Sequence, residues 1–219
     1  MMGRSHEYFE VGRGVYDASR AAALSGVPQS TLHYWARTDL YRPSISPHPR
    51  VRRWSWADLL SLRAIDWLRR VKGDAQPQKT SMYRIRQALQ ELDKQGLPRE
   101  RLRQLILVSP GGELFLKDDE RVMRATPGLQ AGWSDMLDLV APYHNGPDLL
   151  EPRPLLRIIP GKLQGEPHLL DTRIASATIY TLHNSGYGAE QIMAMYPEAA
   201  PHALRQAIDL EQSLVSQAA

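Results

Sequence analysis

Apolar positions recur at three- and four-residue intervals in two short runs near the start of the chain. In DASRAAALS, Asp17 to Ser25, alanine dominates, and Gly26 follows where a helix end favours a residue tolerant of positive φ. After Val27-Pro28, the run Gln29 to Arg37 places Leu32, Trp35 and Ala36 on one helical face. The pattern predicts two helices joined by a tight turn. A Pro-rich connection, Tyr41 to Pro49, leads to RVRRWSWADLLSLRAIDWLRR, where Val51 to Trp54 reads as the strand of a wing. Ser55 and Asp58 form a capping-box pattern, and Leu59, Leu62, Ile65, Trp67 and Leu68 mark a helix ending near Lys72 and Gly73.

Further on, residues 73–79 read as a linker, and Thr80 opens a helix with Ile85, Leu89 and Leu92 on one face and Gly96 past its end. Leu105 to Val108 and Glu113 to Lys117 flank Ser109-Pro110-Gly111-Gly112, the pattern of a hairpin. Trp133 to Tyr143 is expected to be a helix stopped at Pro142, and Leu155 to Ile159 a strand between Pro154 and Pro160. Three helices close the chain, at about 176–184, 189–195 and 201–216, divided by Gly186 and Gly188 and by Pro197 and Pro201. The expected fold class is α+β, mainly α. Its parts are an N-terminal winged helix-turn-helix over 1–72, a middle α/β linker or dimerisation region with a hairpin over 73–154, and a C-terminal three-helix, helix-turn-helix-like domain over 155–219.

Composition narrows the classes. The 219 residues are 42% hydrophobic and 23% charged, as in a globular protein. Cysteine is absent, which excludes disulfides, thiolate metal sites and a cysteine nucleophile. MMGRSHEYFEVGRG has no apolar signal segment, and no run of about 18 apolar residues follows, so a cytoplasmic protein that does not cross a membrane is expected. The formal charge of +3 is unevenly spread: residues 1–72 carry net +6, residues 73–150 net −1, and residues 151–219 net −2. A basic N-terminal third suits contact with a polyanion.

The first two helices supply a more specific signal. A helix-turn-helix needs a small residue in its first helix, a glycine at the turn and apolar anchors on the second helix. Ala22, Gly26, Val27, Leu32 and Trp35 meet these needs in order. The second helix then exposes Gln29, Ser30, His33, Tyr34 and Arg37, side chains able to reach base edges or phosphates, while Arg50, Arg52 and Arg53 sit on the wing beside the backbone. These eight are the candidate contacts to double-stranded DNA. The plainer alternative is a helical bundle with Tyr34 and Trp35 in its core and the arginines solvated.

The segment Tyr16 to Leu68, with GVPQSTLHYW, then YRP, then RRWSWADLLSLRAIDWL, resembles the winged helix-turn-helix of MerR-type regulators. His33 stands where that family usually has arginine, and the absence of cysteine removes thiolate metal sensing. Gly165 to Ile208 is similar to a widespread prokaryotic helical domain, matched at Gly165, Pro167, Thr172, Arg173, Ile174, Gly186, Glu190, Ile192, Tyr196 and Pro197. Asp171 replaces a family glycine, and aspartate reaches the left-handed region more readily than most residues. Joined in this order, the two parts resemble VapB-like antitoxins, which implies a homodimer that represses its own operon and neutralises a PIN-type ribonuclease toxin. Arg173, Tyr187 and Tyr196 are the candidate partner contacts; for Arg173 an internal ion pair is the other reading.

Other chemistry finds little support. HExxH, the phosphate loop, GxSxG and the dinucleotide fingerprint are all missing, and the seven histidines are scattered. Asp118-Asp119-Glu120 reads as a solvated loop with a divalent-cation site as its alternative. No catalytic residue, metal or cofactor is expected. The competing functions are a MerR-like regulator answering a small molecule without a toxin partner, and an interaction adaptor that has lost DNA binding.

Overall fold

The computed structural model describes residues 14–45, 51–69, 81–94, 107–108, 114–118, 121–124, 135–136 and 140–218. Contacts divide the chain into two compact units, Met1–Trp56 with Ala141–Ala219, and Ala57–Val140. The chain is mainly helical with short antiparallel strands. Among the described residues no helix is long and apolar enough to cross a membrane.

In the first unit, α1 (Ala18–Ser25) starts at Asp17, whose carboxylate accepts from the Arg20 backbone N–H at 2.8 Å. It ends at Gly26 with φ +72, and the Gly26 N–H donates to Ala22 O. The turn also leaves no room for a side chain, since a Cβ at Gly26 would lie 2.6 Å from the Tyr143 carbonyl oxygen. α2 (Gln29–Arg37) follows with Leu32 and Trp35 buried. The helix-turn-helix thus closes on the residues that the apolar pattern marks. The expected wing strand contributes one bridge among the described residues, Tyr16 to Trp54, with each backbone N–H donating to the other's carbonyl at 2.9 Å.

The C-terminal part of this unit pairs β5 (Leu156–Arg157) with β6 (His168–Leu169) and continues into α5 (Ser176–Asn184), α6 (Ala189–Met195) and α7 (Pro201–Ala218). Leu204, Ala207, Leu210, Glu211 and Leu214 lie buried on one face of α7, which packs on both α5 and α1. Asp171 adopts φ +58, so the aspartate takes up the left-handed turn expected of it, and Thr172 braces that turn through Leu169 O and the Ile174 N–H.

An ionic cluster fastens α1 to this part. The Arg20 guanidinium reaches both Glu211 oxygens, at 2.7 and 2.8 Å, and Glu166 at 2.9 Å, while the Ser176 hydroxyl donates to Glu211. The Arg20 and Glu211 side chains are 16% and 4% exposed. Burial works against the Arg20 charge, but the hydrogen-bonded Glu211 and the nearby Glu166 outweigh it and hold the pKa above the usual range. Burial raises the Glu166 carboxyl, with Arg20 opposing the rise. Next to it Tyr16 is fully buried and donates to the Gly165 carbonyl at 2.8 Å. Burial pushes its phenol far up, so the hydroxyl stays a donor. Gly165, at φ +83, is required there because a Cβ would overlap that hydroxyl.

The second unit holds most of α3 (Trp56–Arg69), together with α4 (Met82–Lys94) and a four-stranded antiparallel sheet. Its strands are β1 (Leu107–Val108), β2 (Leu114–Asp118), β3 (Arg121–Arg124) and β4 (Asp135–Met136), in the order β3-β2-β1-β4. Every residue of α3 from Ala57 to Ile65 is buried, and Arg63 donates to the Val140 carbonyl at 3.3 Å. The two strands expected of the hairpin pair antiparallel, with Leu107 opposite Phe115, and the turn expected at 109–112 lies outside the described residues. The helix expected over Trp133 to Tyr143 is not: Asp135 and Met136 pair with Val108 and Leu107. There the free edge of β1 gives the backbone partners that local periodicity could not register. The ends expected for α3 and α4 near Lys72 and Gly96, and the linker 73–79, lie outside the described residues.

Two outcomes are expected. Breaking a buried ion pair from one side strands a charge, so Arg20→Met should cost about 3–5 kcal/mol in denaturant unfolding, and Arg20→Met with Glu211→Met should recover part of that loss. Burial also pushes the His168 imidazole down, opposed by the bond from its Nδ1–H to Glu166 O at 3.0 Å, and the charges of Lys162, Arg173 and Arg157 lower it further. The unfolded imidazole, near pKa 6.5, therefore binds more protons than the folded one. Its contribution is present above about pH 6.5 and lost as pH falls, so Tm should drop from about pH 7 to about pH 5, less steeply in His168→Gln.

Candidate nucleic-acid interface

The buried side of α2 decides what its other side presents. With Leu32 and Trp35 turned inward, Ser30, Tyr34 and Arg37 face solvent, and Tyr34 is 50% exposed. The helix stops cleanly at Thr38, whose backbone N–H and Oγ1–H both donate to Tyr34 O at 2.9 Å. Arg37 sits in the last turn, where the helix dipole favours a cation. Beyond it, Asp39 adopts φ +55 and pairs with Arg42 at 2.6 Å. Both partners are well exposed, so that pair contributes little to stability.

Gln29, His33 and Arg37 follow one another at four-residue steps along the helix. Gln29 and His33 are half-buried, and His33 meets Arg52 and Trp54. His33 Nδ1 lies 3.2 Å from Arg52 Nη1, Gln29 Nε2 lies 3.4 Å from His33 Nε2, and the His33 ring meets Trp54 edge-on at 6.5 Å. Six of the eight sequence-expected DNA contacts thus fall into two sets: His33 touches both Gln29 and Arg52, and Ser30, Tyr34 and Arg37 are exposed. Arg53 is half-buried, and Arg50 lies outside the described residues.

The three candidate partner contacts are all in the C-terminal part. Arg173 is exposed in the turn before α5, with no carboxylate within ion-pair distance among the described residues. Tyr187, 43% exposed, lies in the α5–α6 turn, and Tyr196 is half-buried at the end of α6. Met195 beside it is 45% exposed and went unmarked in the sequence. Also unmarked were Tyr16 and Arg20, whose partners lie 149 and 191 residues away, beyond any local pattern. Among the described residues no group of three or more His, Cys, Asp or Glu is placed to hold a metal ion, and Asp119 and Glu120 of the acidic turn lie outside them.

Comparison with known proteins gives two family matches. Residues 16–74 match the MerR HTH family regulatory proteins, and residues 157–209 match a family described as a protein of unknown function, DUF433. No curated protein matches the chain. Among solved structures, the X-ray crystal structure of Rv2018 from Mycobacterium tuberculosis is similar at 16% identity and a TM-score of 0.45, over 88% of this chain and 96% of that one. The stretch that holds α1, its turn and α2 is thus similar to a MerR-type helix-turn-helix domain over residues 16–74.

Proposed function

We propose that this chain is a homodimeric, sequence-specific DNA-binding repressor, the antitoxin of a toxin–antitoxin pair that controls its own operon and neutralises a PIN-type ribonuclease. The observation that carries the DNA half is the solvent-facing row Ser30, Tyr34 and Arg37 on α2, with Arg52 held beside it through His33. Hydroxyl, phenol and guanidinium groups at this spacing suit phosphate and base-edge contacts in a major groove. The net +6 of residues 1–72 supports attraction to a polyanion, and the charge of the rest does not. The toxin half rests on the resemblance of the N-terminal and C-terminal parts, joined in this order, to VapB-like antitoxins. Arg173, Tyr187 and Tyr196 are the residues proposed to meet the toxin, since an exposed cation, an exposed phenol and a half-buried one outside the α7 core suit a protein partner. The protein acts in the cytoplasm, without catalytic residues, cofactor or metal.

Two measurements test this. In retardation assays on the DNA upstream of its own coding sequence, Arg37→Ala and Arg52→Ala should each flatten the slope of log K against log salt by about one, whereas Gln29 or Ser30 replacements should change sequence preference. Unchanged binding in all four sinks the DNA reading. In growth assays, a gene flanking this one should arrest the host alone and not together with this chain. Loss of rescue on replacing Arg173 and Tyr187 would locate the toxin contact; absence of any toxic neighbour would remove the toxin and favour the regulator that answers a small molecule.

A further inference from the structure

His33 is the acceptor in a contact whose other member can only donate. Arg52 Nη1 lies 3.2 Å from His33 Nδ1, and a guanidinium has five N–H donors and no lone pair. Nδ1 must therefore carry the lone pair, which makes the imidazole in this contact neutral, with its proton on Nε2. The Gln29 amide lies on that side, and its oxygen accepts from Nε2–H once the amide is turned to present it. The ring is further held by the edge-on contact with Trp54, which is buried and bridged to Tyr16 through the backbone. His33 is thus gripped on three sides, and one of the three neighbours, the half-buried Arg52, is a cation.

That cation has capacity to spare. One of the five Arg52 donors meets a neutral acceptor, and no carboxylate lies within ion-pair distance of it among the described residues. Four donors and the full charge remain for an anion beside the exposed face of α2. An arginine at position 33 would set two cations together and offer no lone pair; an aliphatic residue would leave Arg52 to find its own orientation. A guanidinium set in advance loses less rotamer freedom when it meets a phosphate.

We propose that His33 is a positioning residue, which orients the Arg52 guanidinium for a phosphate contact instead of reading a base edge itself. The proposal rests on the DNA-binding reading above and adds a route by which a neutral side chain governs a charged contact. A neutral group cannot alter counterion release directly, so the salt dependence of binding separates the two roles.

The test is a fluorescence-anisotropy titration of the full chain on a mixed-sequence duplex over a range of salt, for the unaltered protein, His33→Ala, Arg52→Ala, the double variant and His33→Asn. Arg52→Ala should flatten the slope of log K against log salt by about one, His33→Ala should flatten it equally while removing no charge, and the double variant should go no further. His33→Asn, whose side-chain oxygen falls near the place of Nδ1, should restore the slope. A slope unchanged in His33→Ala, or additive effects in the double variant, overturns the proposal while leaving DNA binding in place. Absence of binding by the unaltered chain at low salt overturns both. Independently of DNA, imidazole ¹⁵N shifts should show the neutral Nε2–H tautomer for His33 and should change in Arg52→Ala; a protonated or Nδ1–H ring in the unaltered protein also overturns it.

Discussion

A guanidinium that is taken out of water between two carboxylates has few positions it can occupy, and Arg20 occupies one that ties α1 to α7. Its planar fork matches both oxygens of Glu211 and leaves its Nε for Glu166. Burying these charges is costly, and an apolar cluster of equal volume could hold α1 on α7 as firmly. What the ionic version adds is direction. The fork accepts Glu211 in one rotation, so α1 is fixed along and about its axis, and α2 follows because the turn at Gly26 leaves no slack.

Tyr16 extends the same constraint. Its backbone pairs with Trp54 and its hydroxyl with Gly165, so one buried residue joins the segment bearing Arg52 to the loop ahead of β6. Trp54 in turn packs on His33, and His33 holds Arg52. A short series of contacts therefore runs from the interior of the C-terminal part to the outer face of α2, each member fixed by the one before. On the function proposed here, the DNA-facing residues and the toxin-facing residues belong to one compact unit. A partner that disturbed α7 would have to break the Arg20 bonds to leave α2 unsupported.

Helices with their own start and stop signals were readable from residues close in sequence. Asp17 and Gly26 bound α1, Gly186 and Gly188 separate α5 from α6, and Pro197 precedes α7, which Pro201 opens, because caps, glycine turns and proline act over a few residues. The left-handed turn at Asp171 was open to the same reasoning. Asp135 and Met136 were not, since a two-residue strand has no period of its own and forms only where β1 offers an edge. Ala57 to Ile65 carried an amphipathic pattern, yet Asp58, Ser61 and Arg63 on its polar side are buried too.

The sequence by itself determined the helix-turn-helix, the three closing helices and the set of polar side chains on α2, because each follows from spacing along one short segment. Only the tertiary structure decided how those side chains are used. His33 and Arg52 are 19 residues apart, and Arg20 and Glu211 are 191 apart. A hydrogen bond depends on where the folded chain brings a donor and a lone pair together, and separation along the sequence carries no record of that distance.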